Sequence, residues 1–431
     1  MTIIDVYKHG NCVGTLQCDD QGRVQFTYNE ATHGHAELAI SLRMPVRHAA
    51  YEDRIALPFF ENLLPEGDIR RVIAFATKRA PGDVVGLLGV VGGECAGAIS
   101  LWPQGLAPQE IPQYRNCTTS EVEAALGDAK DVSTLMRVLQ DARMSMSGAQ
   151  DKLVLYRRPP IGHLPGRSTA EYRLPVAGSP TSVLVKRDRG NFPGLVHNEV
   201  AAMSLMQAAS VPVAAHTVSE LASDLYETAR FDRQMHDDGT VTRLHAEDGC
   251  QITGHVSQNK YGETGGPSYT DLMTQLNRYS ADALADGEVL FRWAVANLAI
   301  GNRDAHAKNI SVLHLPTGAI RLAPAYDVLC TLVYPALDTK LPLYFGGKRT
   351  MAELSPHAIK VAAREFKATP ARLFDIAEHV VNEIENALPS VLHETEVMAG
   401  SHQVLQHMDS AIRNECTGLR GALFGPARKN V

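Results

Sequence analysis

"GNRDAHAKNISVLHLPTGAIRLAPAYDVL", Gly301–Leu329, is the stretch on which the reading of this chain turns. The apolar run before it, "EVLFRWAVANLAI" (288–300), has the length and composition of a buried helix that stops at Gly301. "NISVLHL" and "AIRLAPA" read as two short strands paired across the Pro316-Thr317-Gly318 turn. Between helix and hairpin the chain crowds Asp304, His306, Lys308 and Asn309 together, and a further carboxylate, Asp327, follows the second strand.

An Asp, an Asn five positions later and a second Asp beyond a short hairpin is the layout that phosphoryl transfer uses in protein kinases. One carboxylate, Asp304, orients an attacking hydroxyl and accepts its proton. The Asn309 amide and the Asp327 carboxylate supply the hard oxygen ligands that Mg²⁺ prefers, and Lys308 can lie near the transferred phosphate. Alone, the loop would pass for turn and cap chemistry, in which Asn and Asp are common. The later Asp adds a second, separate part of the same mechanism.

Such a site also needs a strand lysine for the ATP phosphates and a small-residue loop to cover them. "TSVLVKR" supplies Lys186. The following helix, "HNEVAAMSL", offers Glu199 as its ion-pair partner, although Glu199 reads equally well as a solvent-facing or N-terminal helix charge. Upstream, "MSMSGAQDKLVLY" sets Ser145, Ser147, Gly148, Ala149 and Gln150 before a strand, and small side chains leave backbone amides open to phosphate. It is not a Walker motif, and by itself it would read as a flexible linker.

The rest of the chain frames these motifs. The first hundred residues read as strands with helical segments around Pro65, then a Gly-rich apolar turn from helix to strand at 82–102. "PQGLAPQEIPQY" (103–114) marks a boundary. Strands dominate from about 140 to 235, with a turn-rich segment at 159–180, and helices take over from 270. This order predicts an α+β fold of two lobes. A net charge of −7 gives no global pull toward nucleic acid. Seven scattered cysteines without a CxxC pair suggest reduced thiols and a cytoplasmic setting, and no signal peptide or membrane span is apparent.

In order along the chain, "SMSGAQDKLVL", "VLVKR", "ARFDR", "EDGCQITG", "GNRDAHAKNISVL" and "LAPAYDVL" resemble the motifs of the HipA family of serine/threonine kinase toxins. "VYKHGNCVGTL", "FTYNE" and "FFENLLPEG" look like that family's N-terminal subdomain, so the resemblance runs from about residue 3 to about residue 420. It implies a two-lobed, protein-kinase-like fold. Residues 1–105 would form the N-terminal subdomain, 106–235 the rest of the β-rich N-lobe, and 236–431 the helical C-lobe. It also implies ATP and Mg²⁺, with Asp304 as base, Asn309 and Asp327 as metal ligands, and Lys186 on the phosphates. Phe231, Gln251, His306 and Tyr326 would line the nucleotide site, and Ala229 stands where the family can carry a hinge glutamate.

The family autophosphorylates a serine at the start of the phosphate loop and thereby inactivates itself. That position is Ser145 here, with a second serine, Ser147, two residues on. The implied substrate is an aminoacyl-tRNA synthetase. The implied partner is a small HipB-like helix-turn-helix antitoxin, with operator DNA reached mainly through it. Two rival readings remain: a small-molecule kinase sharing the Asp-x-x-x-x-Asn layout, and a catalytically silent corepressor. A metal-only site on His33, His35, His245 or His306 finds no support in zinc spacing.

Overall fold

The structure, a computed structural model, describes residues 2–126, 139, 141–145, 152–162, 170–188 and 192–425. It is α+β. The chain opens with a four-stranded antiparallel sheet made of β1 (Thr2–Lys8), β2 (Asn11–Cys18), β3 (Val24–Tyr28) and β4 (Ile99–Pro103), in the order β3-β2-β1-β4. Alternation in β1 turns Ile4 and Val6 inward. Helices α1 (Asp53–Glu61), α2 (Gly67–Ala76) and α3 (Val84–Val91) follow β3, and Asp83 caps the last by accepting from the Gly86 amide.

A second, six-stranded sheet holds β5 (Gln113–Asn116), β6 (Lys152–Arg158), β7 (Glu171–Val176), β8 (Val183–Arg187), β9 (His216–Val218) and β10 (Leu225–Ala229). Its order is β5-β7-β6-β8-β10-β9. Helix α4 (Thr119–Leu126) follows β5, and helix α5 (Leu195–Ala208) links β8 to β9. The turn-rich reading of 159–180 is corrected here, because that segment contains β7. β6 pairs with β7 only at Glu171–Arg173, so Pro175 within β7 faces β5 alone and breaks no ladder on its other side.

A small hairpin of β11 (Arg233–Met235) and β12 (Val241–Arg243) leads into β13 (His245–Asp248). β13 pairs with β14 (Ser311–His314), which pairs with β15 (Ile320–Leu322) as the sequence suggests. The remainder is helical: α6 (Gly249–Thr253), α7 (Tyr269–Tyr279), α8 (Ala283–Ile300), α9 (Pro356–Glu365), α10 (Pro370–Ala399) and α11 (Gln403–Leu419). In α10 the residues Leu373, Ile376, Ala377, Val380, Val381, Ile384, Leu388 and Val391 form a continuous buried stripe at helical spacing. They share one core with α8, which is buried over most of its length.

The first sheet and its helices lie against the C-terminal half through polar contacts. His245 Nε2 bonds Ile40 O at 3.0 Å, and Glu247 accepts from the Leu42 amide at 3.0 Å and contacts His314 Nε2 at 3.0 Å. His245, Glu247 and His314 present ligand atoms within 4.8 Å of one another, a cluster that linear spacing did not reveal. His245 Nε2, Glu247 and His314 Nε2 are engaged in these bonds, and His245 Nδ1 is buried without a partner. The seven cysteines are free thiols. Among the described residues no helix is long and apolar enough to cross a membrane.

Candidate active site

Lys186 ends β8 and Glu199 lies on α5, so the two are fixed by neighbouring elements. Lys186 Nζ bonds Glu199 Oε1 at 2.6 Å and Asp327 Oδ1 at 2.5 Å, with the lysine and Glu199 almost wholly buried. Of the two open readings of Glu199, the buried ion pair is the one found. Burial alone would depress the lysine, but the two carboxylates raise it and keep it charged. Burial lifts Glu199 to about 7 against the pull of Lys186. Asp327 is driven the other way: burial would raise it, but Lys186 and then Lys152 hold it far below the usual carboxylate range. Asp327 also has φ of 60°, a left-handed backbone that is uncommon outside glycine and is found where function demands it.

The polar junction is rigid. Helix α8 ends at Gly301, whose φ of 78° admits the left-handed cap. Thr331 Oγ1 then receives the Arg303 amide at 2.7 Å and donates to Gly301 O at 3.1 Å. Asn302 Oδ1 accepts from the Asp304 amide at 2.9 Å. Asn309 Nδ2 donates to Asp304 O at 3.1 Å, which turns the amide oxygen away from that carbonyl. The Asp304 carboxylate keeps 47% of its side-chain area open to the cleft. Enclosure of its inner part raises its pKa above the ordinary value, and a hydrogen bond from Tyr261 opposes that rise.

Lys308 points toward the N-terminal helices. Its Nζ meets Asn62 Oδ1 at 2.7 Å and Asp248 Oδ2 at 3.3 Å, with Glu66 at 3.7 Å. Burial would lower it, and Asp248 and Glu66 raise it. His306 is depressed well below its usual value by burial and by Lys260, and so remains neutral. Tyr326 stacks on Phe231 with ring centroids 5.0 Å apart, and its hydroxyl donates to Lys308 O at 2.6 Å. Ala229 ends β10 at the cleft, its amide engaged with Ala215 O. Gln251 also faces the cleft, but its side chain is committed to the capping box of α6 and to Phe59 O at 3.0 Å. One cleft is therefore lined by Lys186, Ala229, Phe231, Gln251, Asp304, His306, Lys308, Asn309, Tyr326 and Asp327 together.

Ser145 is fully buried, its hydroxyl donating to Leu63 O and its amide to Glu94 O at 2.9 Å. The remaining phosphate-loop residues named from the sequence, Ser147, Gly148, Ala149 and Gln150, lie outside the described residues. Sequence reasoning missed Lys152, although it closes the same motif. Lys152 pairs directly with Lys186 across β6 and β8, which puts both amines at the cleft. Desolvation lowers it to about 8, with Asp327 opposing. Glu66, Lys260 and Tyr261 were missed as well, because nothing in their local sequence signals a site.

The donor set suits a hydrated hard cation. Asn309 and Asp327 offer oxygen, and Lys186 and Lys152 offer charge to phosphates, with the neutral His306 imidazole in the same cleft. A family profile described as the HipA-like C-terminal domain matches residues 144–388, and one described as the HipA N-terminal domain matches residues 4–102. A Sinorhizobium fredii protein named "Putative kinase Y4mE" is 32% identical over 399 residues, covering 91% of this chain and 92% of its own. The "Serine/threonine-protein kinase toxin HipA" of Shewanella oneidensis is 26% identical over 321 residues, covering 70% of this chain and 69% of its own. Among solved structures, the Shewanella oneidensis complex of HipA, HipB and operator DNA superposes with a TM-score of 0.80 at 20% identity, over 99% of this chain and 100% of the matched one. At that identity the superposition speaks for the fold.

Proposed function

The chain belongs to the HipA family, and on that premise we propose that it is an ATP-dependent serine/threonine protein kinase, the toxin of a toxin–antitoxin pair. The observation that carries the reading is the convergence on one cleft of Lys186, Asp304, Asn309 and Asp327, with Lys186 bonded to both Glu199 and Asp327. Asp304, open to the cleft, receives the proton of a serine or threonine hydroxyl. Lys186 and Lys152 hold the triphosphate. Asn309 and Asp327 would hold Mg²⁺, whose charge neutralises the phosphates when it is bound. The stacked Phe231 and Tyr326 give an adenine ring a flat apolar wall.

By family kinship the proposed substrate is an aminoacyl-tRNA synthetase in the cytoplasm, whose phosphorylation stalls translation and arrests growth. The proposed partner is a HipB-like helix-turn-helix antitoxin that carries the chain to operator DNA, where it acts as corepressor. The likeness to a toxin solved with HipB and operator DNA supports that assignment. Self-inactivation at Ser145, Ser147 or both follows from the same chemistry. A phosphate brings nearly two negative charges, and Ser145 is fully buried with its hydroxyl donating to Leu63 O, a carbonyl that would repel them. Modification of Ser145 would therefore break this contact.

Phosphopeptide mass spectrometry of the expressed protein tests both points. Wild type is expected to carry phosphate on Ser145 or Ser147, and Asp304→Gln on neither. A phosphorylated Asp304→Gln chain overturns the assignment of the base. Replacing both serines with alanine is expected to preserve transfer after ATP preincubation, whereas wild type fades.

A further inference from the structure

The segment Lys260–Gly266 is bound to the Asp304–Asn309 loop at both main-chain and side-chain level. Ala307 donates its amide to Lys260 O at 3.2 Å, and Lys260 Nζ meets Glu66 Oε2 at 2.7 Å. Tyr261 O accepts from the Thr264 amide at 3.1 Å and the Gly266 amide at 3.0 Å. Gly266 lies so close to this turn that a Cβ there would come within 2.1 Å of Asn259 O and 2.7 Å of Tyr261 O. The Tyr261 ring packs edge-on against His306, with centroids 5.1 Å apart and planes at 79°. The ring is therefore held from two sides. Its hydroxyl reaches one atom, Asp304 Oδ1, at 2.5 Å.

We propose that Tyr261 is the positioning residue of the phosphotransfer base: its hydroxyl binds one oxygen of Asp304 and fixes the carboxylate so that the other oxygen faces the acceptor hydroxyl. The inference rests on the reading of Asp304 as that base. A lone aspartate side chain, with nearly half its area open, would sample several rotamers and meet the acceptor in the right orientation only part of the time. A short, charge-assisted bond from a buttressed phenol removes that freedom. Lys260, Glu66 and His306 flank the pair, but Tyr261 alone among them bonds the carboxylate.

The test compares wild type, Tyr261→Phe, Asp304→Asn and the double variant of the full chain, using γ-labelled ATP and following label on the chain. Tyr261→Phe keeps the ring against His306, so its melting temperature should match wild type. Its kcat should fall roughly tenfold or more with the KM for ATP unchanged. In the Asp304→Asn background the same substitution should cost nothing further. An unchanged kcat, a rise in KM that accounts for the loss, or an equal additional loss in the Asp304→Asn background overturns the proposal. If Asp304→Asn transfers phosphate as fast as wild type, the reading of the base has failed instead. If wild type transfers none, a thermal double-mutant cycle over the same variants decides: coupling between positions 261 and 304 supports the held carboxylate, and additivity overturns it.

Discussion

Around Glu94, three guanidinium groups meet two carboxylates; around Lys186 and its neighbour Lys152, two ammonium groups meet two. Both clusters are buried, yet they settle their charges in opposite ways. Glu94 takes Arg230 at 2.8 Å, Arg233 at 2.9 Å and Arg243 at 2.5 Å, and its remaining capacity goes to the Thr181 amide and hydroxyl. Asp232 answers Arg230 at 2.8 Å and the Gly97 amide at 2.6 Å. Burial would raise Glu94, but the three arginines bring it down to about 2. The Glu94 carboxylate finds a partner at each oxygen, and its backbone also seats Ser145. At Lys186 one carboxylate oxygen stays unmet. Glu199 is lifted to about 7, Lys152 falls to about 8, and Glu199 Oε2 is buried without a partner. A buried cluster whose carboxylates are fully bonded ties elements together. One with an unmet oxygen and perturbed groups has the character of a functional site.

The largest effect that would separate the two is at Asp327. Asp327→Asn is expected to cut phosphate transfer roughly 10³-fold, since it removes a charge from the metal position, while the melting temperature moves little because Lys186 keeps Glu199. Labelled-ATP assays beside a thermal melt check it. A large drop in stability would mean that this cluster, too, is structural.

The opposite outcome is expected at the other cluster. Glu94→Gln leaves three buried arginines short of an anion and should destabilise the fold by about 3–5 kcal/mol, read as a shift in urea midpoint. Against a total of about 5–15 kcal/mol this is a large share. Activity should fall only as far as the folded fraction does, plus whatever is lost by loosening the Ser145 seat.

Between these lies Lys152→Met, which removes the weaker of the two paired amines. The KM for ATP should rise roughly tenfold, in line with the loss of one charge-assisted contact. Because Lys152 loses its proton near pH 8 before ligand binds, wild-type affinity for ATP should weaken as pH rises through that value. The Met variant should lack this slope. An equal slope in both would exclude Lys152 as its source.

How much of this was written in the chain itself differs between the two clusters. The Asp304, Asn309 and Asp327 set was legible because a helix stop, a short loop and a hairpin hold it within one stretch, where spacing is geometry. Lys186 could be found because the chemistry demanded a strand lysine. Glu94 could not be read: it sits in a Gly-rich segment whose role as a tight turn from helix to strand was clear, but its partners lie at 181, 230, 233 and 243. Tyr261 and Glu66 were hidden for the same reason, since each reaches Asp304 or Lys308 only through folding of distant segments. The strand β7 was lost inside the turn-rich segment 159–180, because its pairing with β5 and β6 shows only once those neighbours are placed.

The smallest and most discriminating change is Glu199→Gln. Its carboxyl is raised in the fold from an ordinary value near 4.5 to about 7, so the folded state holds this proton more tightly than the unfolded chain does. The stability it contributes is thus complete below about pH 4.5 and is lost as pH rises through 7. Glutamine resembles the protonated form in shape and charge and can still accept from Lys186. Below about pH 4.5 the variant should therefore differ from wild type by less than about 1 kcal/mol, within the range of a near-neutral substitution, and at pH 8 it should be the more stable of the two. It should also lack the wild-type decline between pH 5 and 7, measured by urea unfolding across that window. The same exchange made at Glu94, whose carboxyl sits at about 2, should reverse both results: a heavy loss at pH 8, and removal of stability that wild type gives up only below about pH 4.5. If the two glutamines behaved alike, the distinction between a fully bonded buried carboxylate and one with an unmet oxygen would have no energetic content.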